Sequence, residues 1–298
     1  MSHLQKARQF MQTRARPVER AMFAHHFDGG SPAEVVAALT EFQNDDGGFG
    51  HGLEADHHTP TSSVLSTNQA LEYLRAAGVG TGAMIQGAID FLVSGYEPDI
   101  DAWRIVPADV EAHPHAPWWE GRAEDPCPIN PKMETLGHLL TYRDALPGSF
   151  MLDDLLARAI AGLPSEDGRV EHHELLCCLS LAETPALDPG VQAALEPRLL
   201  AWIDALVERN PAAWDSYCLK PLDVASTADS PYAKILADCL PANVDYELRR
   251  QNDDGSWSPH WTWYGDRYPD AWERARIHWA GIITLRITRR LSAHGVLD

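Results

Sequence analysis

The chain has 298 residues, 45% of them hydrophobic, so it can bury a large core in one domain or two. A formal net charge of −19, from 43 acidic and 24 basic side chains, disfavours nucleic acid and anionic lipid surfaces as partners. The chain has no apolar run long enough for a membrane span and no signal-peptide core at its start, so we expect no membrane span. It has five cysteines and no Cys-x-x-Cys pair, which is typical of a reducing compartment, so we expect a cytoplasmic protein.

Helical periodicity runs through most of the chain. Ser31 is a typical N-cap, Pro32 fits the first helical position and Glu34 completes a capping box, so a helix is predicted from about 32 to 43. A second helix should follow Ser63 and end at Gly78. Further helices are predicted at about 81–95, 132–145, 150–162, 171–183, 189–208, 231–239, 243–251 and 270–293. Strand-like alternation is nearly absent, so we predict an all-α chain and, for want of a linker, one domain over 1–298.

The helical pattern fails between about 96 and 131. This segment is rich in proline and also carries Trp103, His113, His115, Trp118 and Trp119. A loop this long in a compact domain is usually a lid, a binding loop or a disordered segment, and its aromatic and histidine clusters argue against disorder. We therefore predict a functional loop.

One seven-residue phrase occurs twice, as Gln43-Asn44-Asp45-Asp46-Gly47-Gly48-Phe49 and as Gln251-Asn252-Asp253-Asp254-Gly255-Ser256-Trp257. Each copy follows an amphipathic segment and supplies a turn in which the glycine adopts positive φ. The aspartates should bond turn amides rather than do acid-base chemistry. An aromatic then packs back on the preceding helix, so the phrase predicts a recurring helix-turn-helix unit.

These two copies resemble known repeats. The second is similar to the QW repeat of squalene and oxidosqualene cyclases, and the first, with Gly50, resembles the Asp-Gly-Gly-Phe-Gly repeats of protein prenyltransferase β subunits. Both families fold as an (α/α) toroid, in which helical hairpins form two concentric rings around a central cavity. The resemblance therefore implies a single-domain (α/α) toroid.

The resemblance also implies candidate catalytic residues. Cyclases of this family carry an Asp-x-Asp-Asp general acid, and its nearest counterpart, Asp99-Ile100-Asp101-Ala102, lacks the last aspartate. Prenyltransferases bind zinc through Asp, Cys and a later His. Asp215 and Cys218 lie near that pattern, but their spacing differs and His278 is out of register, so we expect no metal and no cofactor.

The leading hypothesis is a terpene-cyclase-like or prenyl-processing enzyme that binds an isoprenoid in an aromatic-lined cavity. Aromatic faces pack hydrocarbon and stabilise carbocations. The candidate catalytic residues are Asp99, Asp101 and Asp215, and the candidate substrate-binding residues are His113, His115, Trp118, Trp119, Tyr217, Lys220, Trp261 and Trp263. Asp99 or Asp101 would be the proton donor, and the segment around Lys220 would orient a polar headgroup or diphosphate, or form only a local ion pair.

Two alternatives remain open. A carbohydrate-active toroid would stack sugars on tryptophans, with Glu54, Asp56, Glu134 and Asp215 as candidate carboxylates. The other alternative is a binding protein that has lost the catalytic acid. We interpret Glu171-His172-His173-Glu174 as a solvated helix start whose side chains diverge, and Cys177-Cys178 as core. Oligomeric state does not follow from the sequence.

Overall fold

The computed structural model describes residues 1–265 and 267–297, and helices dominate that part of the chain. The α-helices are α1 (His3–Arg14), α2 (Pro17–Phe27), α3 (Pro32–Leu39), α4 (Val64–Ala76), α5 (Ala83–Ser94), α6 (Lys132–Thr141), α7 (Leu152–Ala161), α8 (His172–Ala182), α9 (Pro189–Leu206), α10 (Pro221–Val224), α11 (Leu240–Arg250) and α12 (Pro269–Ala293). Extended pairing in the described residues is limited to isolated bridges, so the predicted all-α class is confirmed. None of these helices is both long and apolar enough to cross a bilayer.

The chain forms two compact units. The central unit is Leu39–Trp202, and the terminal unit combines Met1–Ala38 with Ile203–Asp298. Each unit contains one copy of the repeated phrase. The expectation of one domain over 1–298 stays a prediction.

Most predicted helices are present, and the predicted capping box forms. Ser31 Oγ accepts the Glu34 N–H at 3.4 Å, while the Glu34 carboxylate accepts the Ser31 N–H at 2.6 Å. The sequence reading missed α1 and α2, although α1 begins with a capping box at Ser2 and Gln5 and α2 with Pro17. Both signals were visible in the sequence.

The prediction of a helix over 231–239 is wrong, because this segment forms successive turns. The N–H groups of Ala233 and Cys239 donate to the carbonyls three residues earlier, those of Ser230 and Leu236. A segment this short is helical only with tertiary support, and Pro241 has no N–H with which to extend a helix from it.

In the central unit, α4, α6 and α8 run parallel. Asn68 donates to Thr135 Oγ1 at 2.9 Å near the starts of α4 and α6, and the Tyr142 hydroxyl reaches the Val79 carbonyl at 3.3 Å beyond their ends. The thiol of Cys177 on α8 lies 3.5 Å from Asn130 Oδ1, just before α6. Further along, Gly137 on α6 lies against Leu181 near the end of α8. The starts of α4 and α6 therefore lie together, and α8 runs in the same direction.

Helices α5 and α7 run in the opposite direction, so the central unit consists of helical hairpins. Phe91, near the end of α5, lies against Gly48, which also lies against Ser62 just before α4. Gln86, near the start of α5, donates to the Ala145 carbonyl beyond the end of α6 at 2.9 Å. Helix α7 begins near Arg143, which binds Asp153 at 2.6 Å.

The two copies of the phrase adopt the same turn. Gln43 Nε2 donates to the Gly47 carbonyl at 2.9 Å and to the Met84 carbonyl at 3.0 Å. In the second copy Gln251 Nε2 donates to the Gly255 carbonyl at 3.0 Å and to the His3 carbonyl at 3.0 Å. Helix α1 therefore contacts the second turn as α5 contacts the first.

The phrase needs its glycine for two reasons. Gly47 has φ of 85° and Gly255 has φ of 91°, which is the left-handed region that other residues avoid. A Cβ atom at either position would also collide with the backbone of the contacting helix, at Gly87 or at Lys6. The predicted aspartate role is confirmed, because Asp46 accepts the Gly48 N–H and Asp254 the Ser256 N–H, each at 3.0 Å.

Candidate functional site

In the terminal unit three half-buried aromatic rings form a row. The ring of Tyr217 lies 5.4 Å from that of Trp261, which lies 5.0 Å from that of Trp279. Both contacts are edge to face, the arrangement that aromatic quadrupoles favour. Tyr217 is 50% exposed, so one end of the row is open to solvent. We call Tyr217, Trp261 and Trp279 the aromatic row.

His260 adjoins this row. Its Nδ1 lies 3.2 Å from the Asp215 carbonyl, and its Nε2 is buried and has no hydrogen-bond partner among the described residues. Burial, followed by the positive charges of Arg250 and Lys220, lowers the pKa of His260 to about 4. The next residue repeats the pattern, because Trp261 Nε1 is also buried without a partner in the part of the chain that the structure describes.

Lys220 brings a positive charge to this site. It is only 6% exposed, and no ion pair of its ammonium group is found among the described residues. Its backbone N–H donates to Asp223 at 2.9 Å, and Asp223 is in turn bound to Arg290 at 2.5 Å. A buried ammonium without a bound carboxylate favours an anionic ligand.

Arg250 connects the site to the repeated phrase. It binds Glu247 at 3.0 Å and donates to the Ser258 carbonyl at 2.8 Å, two residues before His260. Burial raises the pKa of Glu247. We call Lys220 and Arg250 the cation group.

The other predicted residues of this region take different positions. Asp215 accepts a hydrogen bond from the Tyr246 hydroxyl at 2.9 Å, which together with burial raises the pKa of that phenol. Burial also raises the pKa of the Cys218 thiol. Trp263 is buried and packs on Trp272, with ring centroids 6.0 Å apart. The structure thus brings Asp215, Tyr217, Lys220 and Trp261 to one site, with Trp263 in a separate aromatic pair.

In the central unit, Asp101 forms part of a polar network. It accepts hydrogen bonds from the Tyr96 hydroxyl at 2.5 Å, Lys132 at 2.7 Å and Arg158 at 3.0 Å. Burial raises the pKa of Asp101, but the hydrogen bonds from Lys132, Tyr96 and Arg158 outweigh it and hold the pKa at about 2. An anion at neutral pH is a poor proton donor, and Asp99 is exposed. This geometry counts against a proton-donor role for either residue.

Two histidine-containing segments that are distant in sequence pair with each other, and we call the paired residues His57 and His115 the seam. His57 and His115 are bridged in antiparallel fashion, with the His58 N–H donating to the Pro114 carbonyl at 2.8 Å. Both rings are buried. In such a pair the two side chains lie on one face, close together. Burial, then the charges of His58 and His115, lowers the pKa of His57 to about 3.

The partners of the seam are carboxylates, a hydroxyl group and a backbone carbonyl. His57 Nε2 lies 3.9 Å from Glu54 Oε2 and 3.4 Å from Ser63 Oγ. His115 Nδ1 lies 2.7 Å from the carbonyl of His113. His113 Nε2 in turn lies 3.6 Å from Asp109 Oδ2.

Trp119 packs against the buried cluster of Ile105, Val106, Val110 and Cys127, and Trp118 is half-buried beside it in sequence. Trp103 is fully buried and donates to the Leu92 carbonyl at 2.7 Å. The segment 96–131 therefore contributes core as well as surface.

One group of His, Cys, Asp and Glu donor atoms is close enough for a metal ion in the described part of the chain, and it is Glu171, His172 and His173. The side chains of Asp215, Cys218 and His278 do not form such a group among those residues. The sequence indicated that the four side chains of 171–174 cannot all converge on one ion, and Glu174 is indeed outside this group, whereas the donor atoms of the other three residues do lie close together. The extended backbone at Glu171 folds its carboxylate back over the first turn, where it lies 3.0 Å from His173 Nδ1.

Comparison of the chain with protein-family models gives no match. Comparison with curated proteins gives no match either.

Sequence reasoning missed Arg250 and assigned no role to His260. Arg250 had a visible signal, because it ends the helix directly before the second phrase. The sequence contains no signal for the pairing of His57 with His115, because that pairing depends on a bridge between distant segments.

Proposed function

We propose that the chain is a prenyl-processing or terpene-cyclase-like protein of the (α/α) toroid class, which binds an isoprenoid diphosphate in its terminal unit. The hydrocarbon chain would lie against the aromatic row and the diphosphate would bind the cation group. The observation that carries this proposal is the pair of buried ring nitrogens, on His260 and Trp261, that have no hydrogen-bond partner among the described residues. The nearly buried Lys220 places a positive charge that acts on His260.

Charge supports an anionic ligand at this position. The protein as a whole carries a net charge of −19, so a polyanion is repelled from most of its surface. The positive charges of Arg250 and Lys220 nevertheless both act on His260. A diphosphate would accept hydrogen bonds from Lys220 and from Trp261 Nε1, which satisfies buried donors that otherwise cost free energy.

The repeated geometry supports the toroid class. Parallel helices α4, α6 and α8 alternate with α5 and α7, as helical hairpins do. Helix α1, at the start of the chain, contacts the second turn as α5 contacts the first.

The site favours ionisation of a diphosphate over protonation of an alkene. In such a step the allylic C–O bond breaks heterolytically and the diphosphate leaves with the electron pair. Lys220 and Arg250 would stabilise the negative charge of the leaving group, and the aromatic row would face the allylic cation. Asp101, with a pKa of about 2, has no part in this step.

Calorimetric titration with farnesyl and geranylgeranyl diphosphate tests the binding, and gas chromatography with mass spectrometry tests turnover. We expect micromolar binding that Lys220→Met weakens at least tenfold. Lys234→Met is the matched control, because Lys234 is exposed. Binding that is equal in the two variants, or an absence of binding, would contradict the proposal, and selective binding of an oligosaccharide would move the assignment to a carbohydrate-active protein.

A further inference from the structure

Three consecutive side chains at the start of α8 form a donor set that the isoprenoid site does not use. One donor atom each from Glu171, His172 and His173 lies within 4.8 Å of the other two. The two imidazole rings are 4.0 Å apart, centroid to centroid. Glu171 and His173 are about half exposed, with side-chain exposures of 52% and 45%, so an ion can reach them from solvent.

The chemistry of this set matches that of transition-metal sites. Two imidazole nitrogens and one carboxylate form a common ligand set for zinc and for other first-row divalent ions. Such sites leave positions open for water or for another protein ligand. Calcium and magnesium, which prefer oxygen ligands, fit this set poorly.

The helix end alone does not explain the cluster. The N-terminus of a helix carries partial positive charge, which favours anions and opposes cations. That charge gives no reason to place two imidazoles at this position, whereas neutral imidazoles are good metal ligands. The carboxylates of Glu171 and Glu174 in the same turn offset the helix charge.

Further donors lie close to this turn. Cys177 follows His173 by four residues, one helical turn further along the same face, and is 7% exposed. The negative charges of Glu134, on the neighbouring helix α6, and of Glu171 both act on the Cys177 thiol. Neither the Cys177 thiol nor the Glu134 carboxylate belongs to the 4.8 Å donor group, so a side-chain movement would have to bring one of them to the ion as a fourth ligand.

We propose that Glu171, His172 and His173 form a binding site for a zinc-type divalent metal ion, with Cys177 or Glu134 as the fourth ligand. This site lies wholly in the central unit. It is independent of the proposed isoprenoid site, whose residues all belong to the terminal unit.

The test is titration of the full-length, untagged, chelator-treated protein with zinc chloride by calorimetry. We expect one equivalent to bind, with affinity at least tenfold weaker in each of His172→Ala, His173→Ala and Glu171→Gln. His25→Ala is the matched control, because His25 and His26 are also consecutive but their rings lie 5.3 Å apart and belong to no such donor group. Unchanged melting temperatures would show that the variants remain folded.

Cobalt substitution identifies the fourth ligand. Visible absorption of the cobalt-loaded protein should show tetrahedral d–d bands, with an added thiolate charge-transfer band if Cys177 coordinates and none if Glu134 does. Absence of zinc binding in the wild-type protein would overturn the proposal. Binding that persists at full strength in both histidine variants would overturn it as well, by placing the ion elsewhere, for example at the seam of His57 and His115.

Discussion

The backbone N–H of Trp257 donates to the hydroxyl of Thr284 at 3.0 Å, and the ring nitrogen of the same tryptophan donates to the Glu247 carbonyl at 2.9 Å. Phe49 makes the first of these bonds to Thr67 at 3.1 Å. Both aromatics are fully buried. Each copy of the phrase is thus anchored by its aromatic to the helix that follows it.

Replacement of Trp257 by alanine should lower the free energy of unfolding by about 3 to 5 kcal/mol, the usual range for a buried tryptophan. Urea denaturation measures this change. Tyr264→Ala is the control, because that ring is 68% exposed and should change stability by less than about 0.5 kcal/mol. Equal midpoints for the two variants would show that Trp257 does not anchor the turn.

The threonine partners allow a test of the repeat itself. Thr284→Val should remove the acceptor of the Trp257 N–H and cost about 1 to 3 kcal/mol, because a buried donor is left unsatisfied. Thr67→Val should cost a similar amount in the first copy, where Thr67 accepts from Phe49. A large loss of unfolding free energy in one variant, with no loss in the other, would contradict the equivalence of the two turns.

The repeat and most helices could be predicted from the sequence because they depend on local signals. The phrase contains its own turn residues and the Ser31 capping box its own bonds, so neighbouring residues determine both. The prediction of a helix over 231–239 failed for the opposite reason. Its apolar residues are spaced as in a helix, but in so short a segment tertiary packing decides between a helix and turns.

The candidate site was harder to predict. Tyr217, Lys220 and Trp261 were selected for their residue types, and they do lie at one site. The hydrogen-bond partners of Asp101 could not be predicted, because Lys132 and Arg158, which keep its carboxylate ionised, are distant in sequence. In a sequence, an aspartate that serves as a general acid cannot be distinguished from one that forms a structural ion pair until its partners are known.

Asp101→Asn should therefore affect stability. It leaves Lys132, which is 3% exposed, without its carboxylate partner, and we expect a loss of about 1 to 3 kcal/mol. Because the folded pKa of about 2 lies below the usual value of 3.8, this stabilisation is present above pH 3.8 and is lost as the pH falls through 2. Asp99→Asn is the exposed control and should be neutral. Isoprenoid turnover that disappears in Asp101→Asn without loss of stability would instead restore the proton-donor hypothesis.

Buried histidines should make the fold sensitive to mild acid. The pKa values are lowered, chiefly by burial, to about 4 in His26 and His260 and to about 3 in His57 and His138. Between these values and 6.5 the unfolded chain binds protons that the folded chain does not. Stability is therefore complete above pH 6.5 and falls as the pH is lowered, by up to about 1.4 kcal/mol per pH unit for each histidine.

His138→Leu should reduce this acid sensitivity, because it removes one buried ionisable ring whose Nε2 has no hydrogen-bond partner among the described residues. Urea denaturation at pH 7.5 and pH 5.5 measures the difference in unfolding free energy. His25→Ala serves as the control from a half-buried position. An equal pH dependence in wild type and His138→Leu would exclude His138 as a source of the effect.

Ligand binding should couple to protonation of His260. Its Nδ1 faces the Asp215 carbonyl, so the neutral ring presents a bare lone pair at Nε2, which an anion repels. A bound diphosphate would raise the pKa of His260 from about 4, and the added Nε2–H would then donate to a phosphate oxygen. Proton uptake on binding, and tighter binding as the pH falls from 8 to 5.5, are the expected results.

Calorimetry in two buffers of different ionisation enthalpy measures the proton uptake directly. His260→Gln supplies the reference, because it keeps a polar side chain but cannot titrate, so any remaining pH dependence belongs to the diphosphate itself. We expect wild type to take up more protons than His260→Gln and to gain at least threefold more affinity over this pH range. Identical proton uptake in both proteins would show that His260 does not face the ligand, and the headgroup would then have to be sought away from the residues that follow Trp257.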